Sequence, residues 1–235
     1  MNEMAQRIAP DEHGAPDEPG APDEPGAPDE LGAPDEHGAP DEPGARWPTT
    51  RAAEGVPRIA WTVDDLDRMV EAGILPEGGG VELLWGELVP MAAKGIRHEN
   101  VRKDLLRFFM KRANDDLDVA SELGWRPRAN VYLEPELLIA PRQANLSLIA
   151  GPDVLLLIEV AASSFAFDTG TKALANAKLG VRDYWVVSAA DLTTTVFRDP
   201  TLDSYAQTTT FGASEIITPL LRPELAVRMA EAASP

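Results

Sequence analysis

Residues 154–187 limit the folds open to this chain more than any other stretch. Val154-Leu155-Leu156-Leu157-Ile158-Glu159-Val160 is apolar at every position but Glu159. A run of that kind is expected of a central strand covered on both faces. After a loop, Asp168-Thr169-Gly170-Thr171-Lys172 opens a helix that reaches about Leu179, and Tyr184-Trp185-Val186-Val187 reads as the next strand. The order is strand, loop, helix, strand. A carboxylate ends the first strand, Asp168 reads as the helix N-cap, and Lys172 then stands about one turn inside.

The flanking segments give a mixed pattern. Trp61-Thr62-Val63-Asp64-Asp65-Leu66 opens a short helix, with Thr62 as N-cap and Asp65 three residues later. Val81-Glu82-Leu83-Leu84 and Glu87-Leu88-Val89-Pro90-Met91 read as a hairpin turning at Trp85-Gly86. Residues 97–113 are helical, with Val101, Leu105, Phe108, Phe109 and Arg112 on one face and Lys103, Arg107 and Lys111 on another. Asn130 to Ile139 reads as one strand interrupted by Pro135. Thr193 to Arg198 pairs with a strand near Ser204 to Thr208, and Ile216 to Val227 is a strand or extended arm. Together these predict an α/β (α+β) fold, a mixed sheet with helices on its faces. The domain is expected over residues 61–228, with 46–60 as linker and 229–235 as a C-terminal tail.

The N-terminus has a different character. Pro-Asp-Glu recurs six residues apart at Pro10, Pro16, Pro22, Pro28, Pro34 and Pro40. Residues 1–45 have almost no large apolar side chains to offset chain entropy, so they are expected to be disordered, with polyproline-like stretches. The whole chain carries −18 and this tail −12, which leaves −6 on residues 46–235. The acidity is therefore mostly a tail property and does not exclude nucleic acid as a partner of the domain, although −6 is no signature of strong nonspecific DNA binding.

With no cysteine, disulfides and thiolate metal sites are excluded. Of the three histidines, His13 and His37 lie in the tail and only His98 in the domain, which argues against a His-rich zinc site. No apolar run reaches membrane-span length and the N-terminus lacks a signal-peptide core, so the cytoplasm is the expected location.

The chemistry rests on oxygen donors and a lysine. Glu136 follows Pro135 in one strand, Glu159 ends the next, and Lys172 lies on the following helix. Two carboxylates at neighbouring strand ends can hold a hard divalent cation such as Mg²⁺, which keeps several of its waters. Such a cation lowers the pKa of a bound water, and a nearby lysine orients that water or stabilises developing charge. The plain readings are a strand-end surface carboxylate for Glu159 and a solvated helix lysine for Lys172.

These pieces resemble a known family. The chain is similar, from about Trp61 to Val227, to the Uma2 family (DUF820) of restriction-endonuclease-like proteins, within the PD-(D/E)xK nuclease superfamily. The matching pieces are Val81 to Val89, Gly95-Ile96-Arg97-His98, Glu134-Pro135-Glu136-Leu137, Ile158 to Ser164, Asp168 with Lys172, and Gly180 to Trp185. The resemblance implies a restriction-endonuclease-like core and a Mg²⁺ or Mn²⁺ site held by Glu136 and Glu159. Lys172 is implied as the catalytic lysine and Glu87 as a further acidic position. It also implies DNA as substrate, and cutting both strands commonly calls for a homodimer. In the superfamily's usual pattern the lysine stands two residues after the glutamate. That position is Ala161 here, and the relocation of the lysine to the helix is usual for this family.

The chain also departs from the pattern. Glu136 stands where Asp is usual, Ala162 where Asp or Ser is frequent, Asn176 where an aromatic is common, Trp85 where Asp is common, and Ser188 where Asp is usual. Two functional readings follow: a metal-dependent DNA endonuclease, or a catalytically weakened member that binds nucleic acid or a partner. Asp168 reads as a cap, and His98 as a cap or a residue at the site's edge.

Overall fold

The computed structural model describes residues 49–51, 56–76, 78 and 80–233. The acidic repeats lie outside the described residues. Part of the expected linker is ordered: β1 (Thr49–Arg51) pairs antiparallel with β2 (Pro57–Ile59).

The helix α1 (Val63–Glu71) begins where its capping signals place it. Asp65 N–H donates to the Thr62 hydroxyl (3.2 Å), and Thr62 N–H donates back to the Asp65 carboxylate (3.0 Å). Such a reciprocal box satisfies two otherwise free donors, and a cap of this kind contributes about 1 kcal/mol. The hairpin β3 (Val81–Leu84) and β4 (Glu87–Pro90) turns at Trp85 and Gly86, whose φ angles are 52° and 87°. A two-residue turn with both φ positive matches the twist of the strands. Glycine meets that demand freely and Trp85 does so under strain, which explains why a small polar residue suits this position better.

Next come α2 (Ile96–Met110), β5 (Leu117–Ala120), β6 (Trp125–Arg128), β7 (Val131–Leu133) and β8 (Leu137–Pro141). The single strand expected over Asn130 to Ile139 is two strands in two sheets. β7 belongs to a four-stranded sheet ordered β4-β3-β7-β6, and β8 to the six-stranded sheet. Glu134-Pro135-Glu136 carries the chain from one to the other, and Pro135, with no N–H to give a ladder, suits that crossing. Neither β5 nor β6 is announced by the sequence. Both are short, and Pro127 inside β6 is tolerated because β6 is an edge strand.

The main sheet continues with β9 (Leu156–Ala161), β10 (Asp183–Ser188), β11 (Thr194–Pro200) and β12 (Tyr205–Phe211), in the order β12-β11-β10-β9-β8-β5. Of its pairings only β9 with β10 is parallel. The connection between those two holds α3 (Phe165–Thr169) and α4 (Thr171–Lys178), where one helix was expected. The break falls at Gly170, where a Cβ would lie 2.8 Å from the Ala166 carbonyl oxygen. Asp168 is accordingly inside α3 rather than an N-cap, and Gly170 occupies the cap of α4.

Period two along β9 builds the core on both sides of the sheet. Leu156, Ile158 and Val160 face one cluster with Val101, Leu105 and Phe109 of α2. Leu157 and Ala161 face the other, with Ala173, Ala175 and Ala177 of α4. Glu159 shares that second face. The chain ends in β13 (Ile216–Ile217), β14 (Val227–Arg228) and α5 (Met229–Ala232). The expected C-terminal tail thus begins as a helix, and Met229 is fully buried in the α2-side core. No described helix is long and apolar enough to cross a membrane.

Candidate functional site

Glu136, Glu159 and Lys172 line one cleft of about 380 Å³, together with Glu82, Lys94, His98, Glu134 and Asp168. The β8–β9 ladder explains the meeting of the two glutamates. Leu137 is paired with Ile158, so the next step brings Glu136 opposite Glu159. The Glu136 backbone N–H donates to Glu159 Oε2 at 3.4 Å. Lys172, the second residue of α4 rather than one turn inside a helix capped by Asp168, puts Nζ 2.9 Å from Glu159 Oε1.

Lys172 is shared. Its Nζ lies 2.8 Å from Glu82 Oε1, and that oxygen also accepts the Glu134 N–H at 3.0 Å. Glu82 is buried in the middle of β3, so the smaller sheet contributes a carboxylate to the larger sheet's cleft. Sequence reasoning missed it, although a charged residue inside Val-Glu-Leu-Leu was a usable signal. Glu87, singled out instead, does not line the cleft and lies 4.0 Å from Arg58. The hairpin register shows why: Glu82 is opposite the cleft-lining Val89, whereas Glu87 is opposite Leu84, further along the same face.

Glu136 has a different environment. Lys94 Nζ and His98 Nε2 lie 3.1 and 3.2 Å from its Oε1, and Arg102 Nε 3.5 Å from its Oε2. His98 is thus inside the cleft and on Glu136. Arg102 is also paired with Glu99 and with Glu122.

The two carboxylates titrate in opposite directions. Burial pushes the Glu159 carboxyl up to about 8 despite the Lys172 ammonium, and Asp168, Glu82 and Glu136 push the same way. Burial would lower Lys172, but Glu159, Glu82 and Asp168 outweigh it and hold the ammonium charged far into the alkaline range. A buried ammonium between two carboxylates is one negative charge in excess, and a proton on Glu159 removes that excess. Burial would raise Glu136 too, but His98 and Lys94 outweigh burial and hold it below the usual carboxylate range. Burial would depress His98, and Glu136 overrides it to raise the imidazole.

Two buried carboxylate oxygens, Glu136 Oε2 and Glu159 Oε1, accept no hydrogen bond of good geometry even with cations close by. Among the described residues, no group of three His, Asp or Glu side chains forms a ready cage for a metal ion.

The model of one protein family, described as "Putative restriction endonuclease", matches residues 63–230. The chain belongs to the Uma2 family. The mixed α/β architecture of this Uma2 domain is also similar to a crystal structure titled as a "putative nuclease belonging to DUF820" from Anabaena variabilis ATCC 29413. The TM-score is 0.55 at 16% sequence identity, covering 70% of this chain and 96% of that one. At that identity the likeness is one of fold. No curated protein matches the chain.

Proposed function

We propose that this Uma2 domain is a metal-dependent endonuclease that hydrolyses phosphodiester bonds in DNA. The observation that carries the reading is the convergence in one cleft of Glu136, just before β8, Glu159, inside the adjacent β9, and Lys172, in the first turn of α4. Membership in a family described as "Putative restriction endonuclease" supports it, as does a fold neighbour titled as a "putative nuclease".

The donor set fits a hard divalent cation. Glu136 and Glu159 each keep one buried oxygen without a hydrogen bond. Oxygen donors in so small a number suit Mg²⁺ or Mn²⁺, which retain several waters. Glu136 and Glu159 would hold the ion, which when bound lowers the pKa of water and neutralises phosphoryl charge. Lys172 orients the attacking water and stabilises charge developing on the phosphoryl oxygens. Glu82 positions the Lys172 ammonium.

A second reading has its own observation. Lys94, Arg102 and the His98 imidazole crowd Glu136, which favours a weakened copy that binds nucleic acid or a partner without cutting. Titrating Mg²⁺ and Mn²⁺ against supercoiled DNA separates the two. Endonuclease function predicts metal-dependent nicking that Glu159→Ala and Lys172→Ala abolish. Nicking unchanged in both variants overturns the assignment, and DNA binding without nicking at any metal concentration favours the second reading.

A further inference from the structure

We propose that Lys94 and His98 form a phosphate-binding subsite at the α2 end of the cleft, where they take a backbone phosphate of the bound nucleic acid. The ligand class rests on the nuclease reading above. The geometry is that of two donors aimed at one oxygen: Lys94 Nζ and His98 Nε2 stand 3.1 and 3.2 Å from the same atom, Glu136 Oε1. A non-bridging phosphate oxygen accepts the same pair of hydrogen bonds, and charge-assisted bonds of this kind are the stronger ones.

Lys94 is the basic residue of the cleft with a path to solvent. Its side chain is 23% exposed, against 6% for Lys172 and 7% for His98. It lies between β4 and α2, outside any helix or strand, beside Met91, Ala92 and Ala93. It also has a second anchor, Glu122 Oε1 at 2.7 Å, so it can leave Glu136 and keep its place. Arg102 completes the cluster but is bound to Glu99 and Glu122 and does not line the cleft. Glu136 is therefore the built-in competitor of the phosphate for Lys94 and His98.

The exposed row Lys103, Arg107 and Lys111 on α2 is the alternative cationic surface. The test is fluorescence anisotropy of a short labelled DNA duplex with the full-length protein in EDTA, at several salt concentrations, so that cleavage plays no part. Lys94→Gln is expected to weaken binding roughly tenfold and to lower the salt slope by about 1, as for the loss of one phosphate contact. Lys94→Arg retains binding, which separates charge from misfolding. Glu136→Gln tightens binding in the wild-type background and tightens it less in Lys94→Gln, where only His98 is released. The subsite is overturned if wild type does not bind in EDTA, or if Lys94→Gln binds like wild type. It is also overturned if only the triple substitution of Lys103, Arg107 and Lys111 by Gln weakens binding. Metal-dependent nicking that survives any of these results leaves the nuclease reading in place.

Discussion

Lys172 Nζ lies 2.8 Å from Glu82 Oε1, and this contact joins a helix of the six-stranded sheet to the middle of a strand in the four-stranded one. Both side chains are almost completely buried. Removing Glu82 leaves Lys172 on Glu159 at 2.9 Å but strands the Glu134 N–H and one N–H of the ammonium, whereas changing its shape modestly does less. Glu82→Ala is expected to cost about 1–3 kcal/mol of stability, and Glu82→Gln clearly less, since an amide oxygen still accepts from Lys172. Urea denaturation of the two variants measures this. Equal, small losses in both would show that the pair does not hold the sheets together.

Stability is expected to fall as pH rises through neutrality in metal-free buffer. The Glu159 carboxyl titrates at about 8 in the folded chain against an ordinary value of 4.5. Between those values the folded form binds the extra proton, so this contribution is fully present below the unfolded value and is lost as pH rises through about 8. His98, raised by Glu136, acts in the same direction above its ordinary 6.5. Glu136, held low, loses its contribution only in acid. The melting temperature should therefore decline between about pH 5 and pH 8.5, and Glu159→Gln should flatten the decline. A melting temperature that rises over that window would contradict this assignment of the proton.

Asn176→Leu is expected to stabilise the domain by about 1 kcal/mol. Asn176 lies one turn beyond Lys172, is fully buried, and neither its amide nitrogen nor its amide oxygen has a hydrogen-bond partner. A buried polar group without a partner carries an uncompensated desolvation cost, which an apolar side chain of comparable size removes. Chemical denaturation decides. A loss of stability would mean that the amide is satisfied by an internal water.

Asp183→Ala is expected to be far more costly than a typical substitution. The fully buried carboxylate accepts from the Trp185 indole N–H (2.8 Å), Arg198 Nε (2.9 Å) and the Leu220 N–H (2.7 Å). Its loss strands three donors, and breaking a buried pair of this sort costs about 3–5 kcal/mol. Hydrogen exchange should show early loss of protection near Leu220. Unchanged protection there would mean that Asp183 does not anchor the C-terminal segment.

The sequence made the centre of the domain readable and its periphery less so. Leu156 to Val160 and Tyr184 to Val187 are long, apolar and flanked by turns, and hydrophobic pattern alone identifies such strands. Thr62 and Asp65 announce a helix start through local chemistry that tertiary context does not alter. Neighbouring strands and a following helix were enough to bring Glu136, Glu159 and Lys172 together, although Glu159 lies inside β9 and Lys172 is the second residue of α4. β5 and β6 were not, because four-residue edge strands carry too little periodicity. Nor was the split at Gly170, which depends on a close approach to Ala166. The confusion of Glu82 with Glu87 has a similar origin: both lie on one face of a hairpin, and only the position of the other sheet distinguishes them.

The crossing at Glu134-Pro135-Glu136 bears on the order in which the cleft is put together. Glu134 gives its N–H to Glu82 in the small sheet, and Glu136 gives its own to Glu159 in the large one. Glu136, Glu159 and Lys172 belong to the larger sheet and its helix and Glu82 to the smaller one, so a partly unfolded chain lacks the second carboxylate on Lys172. Docking of the two sheets is the event that assembles the cleft.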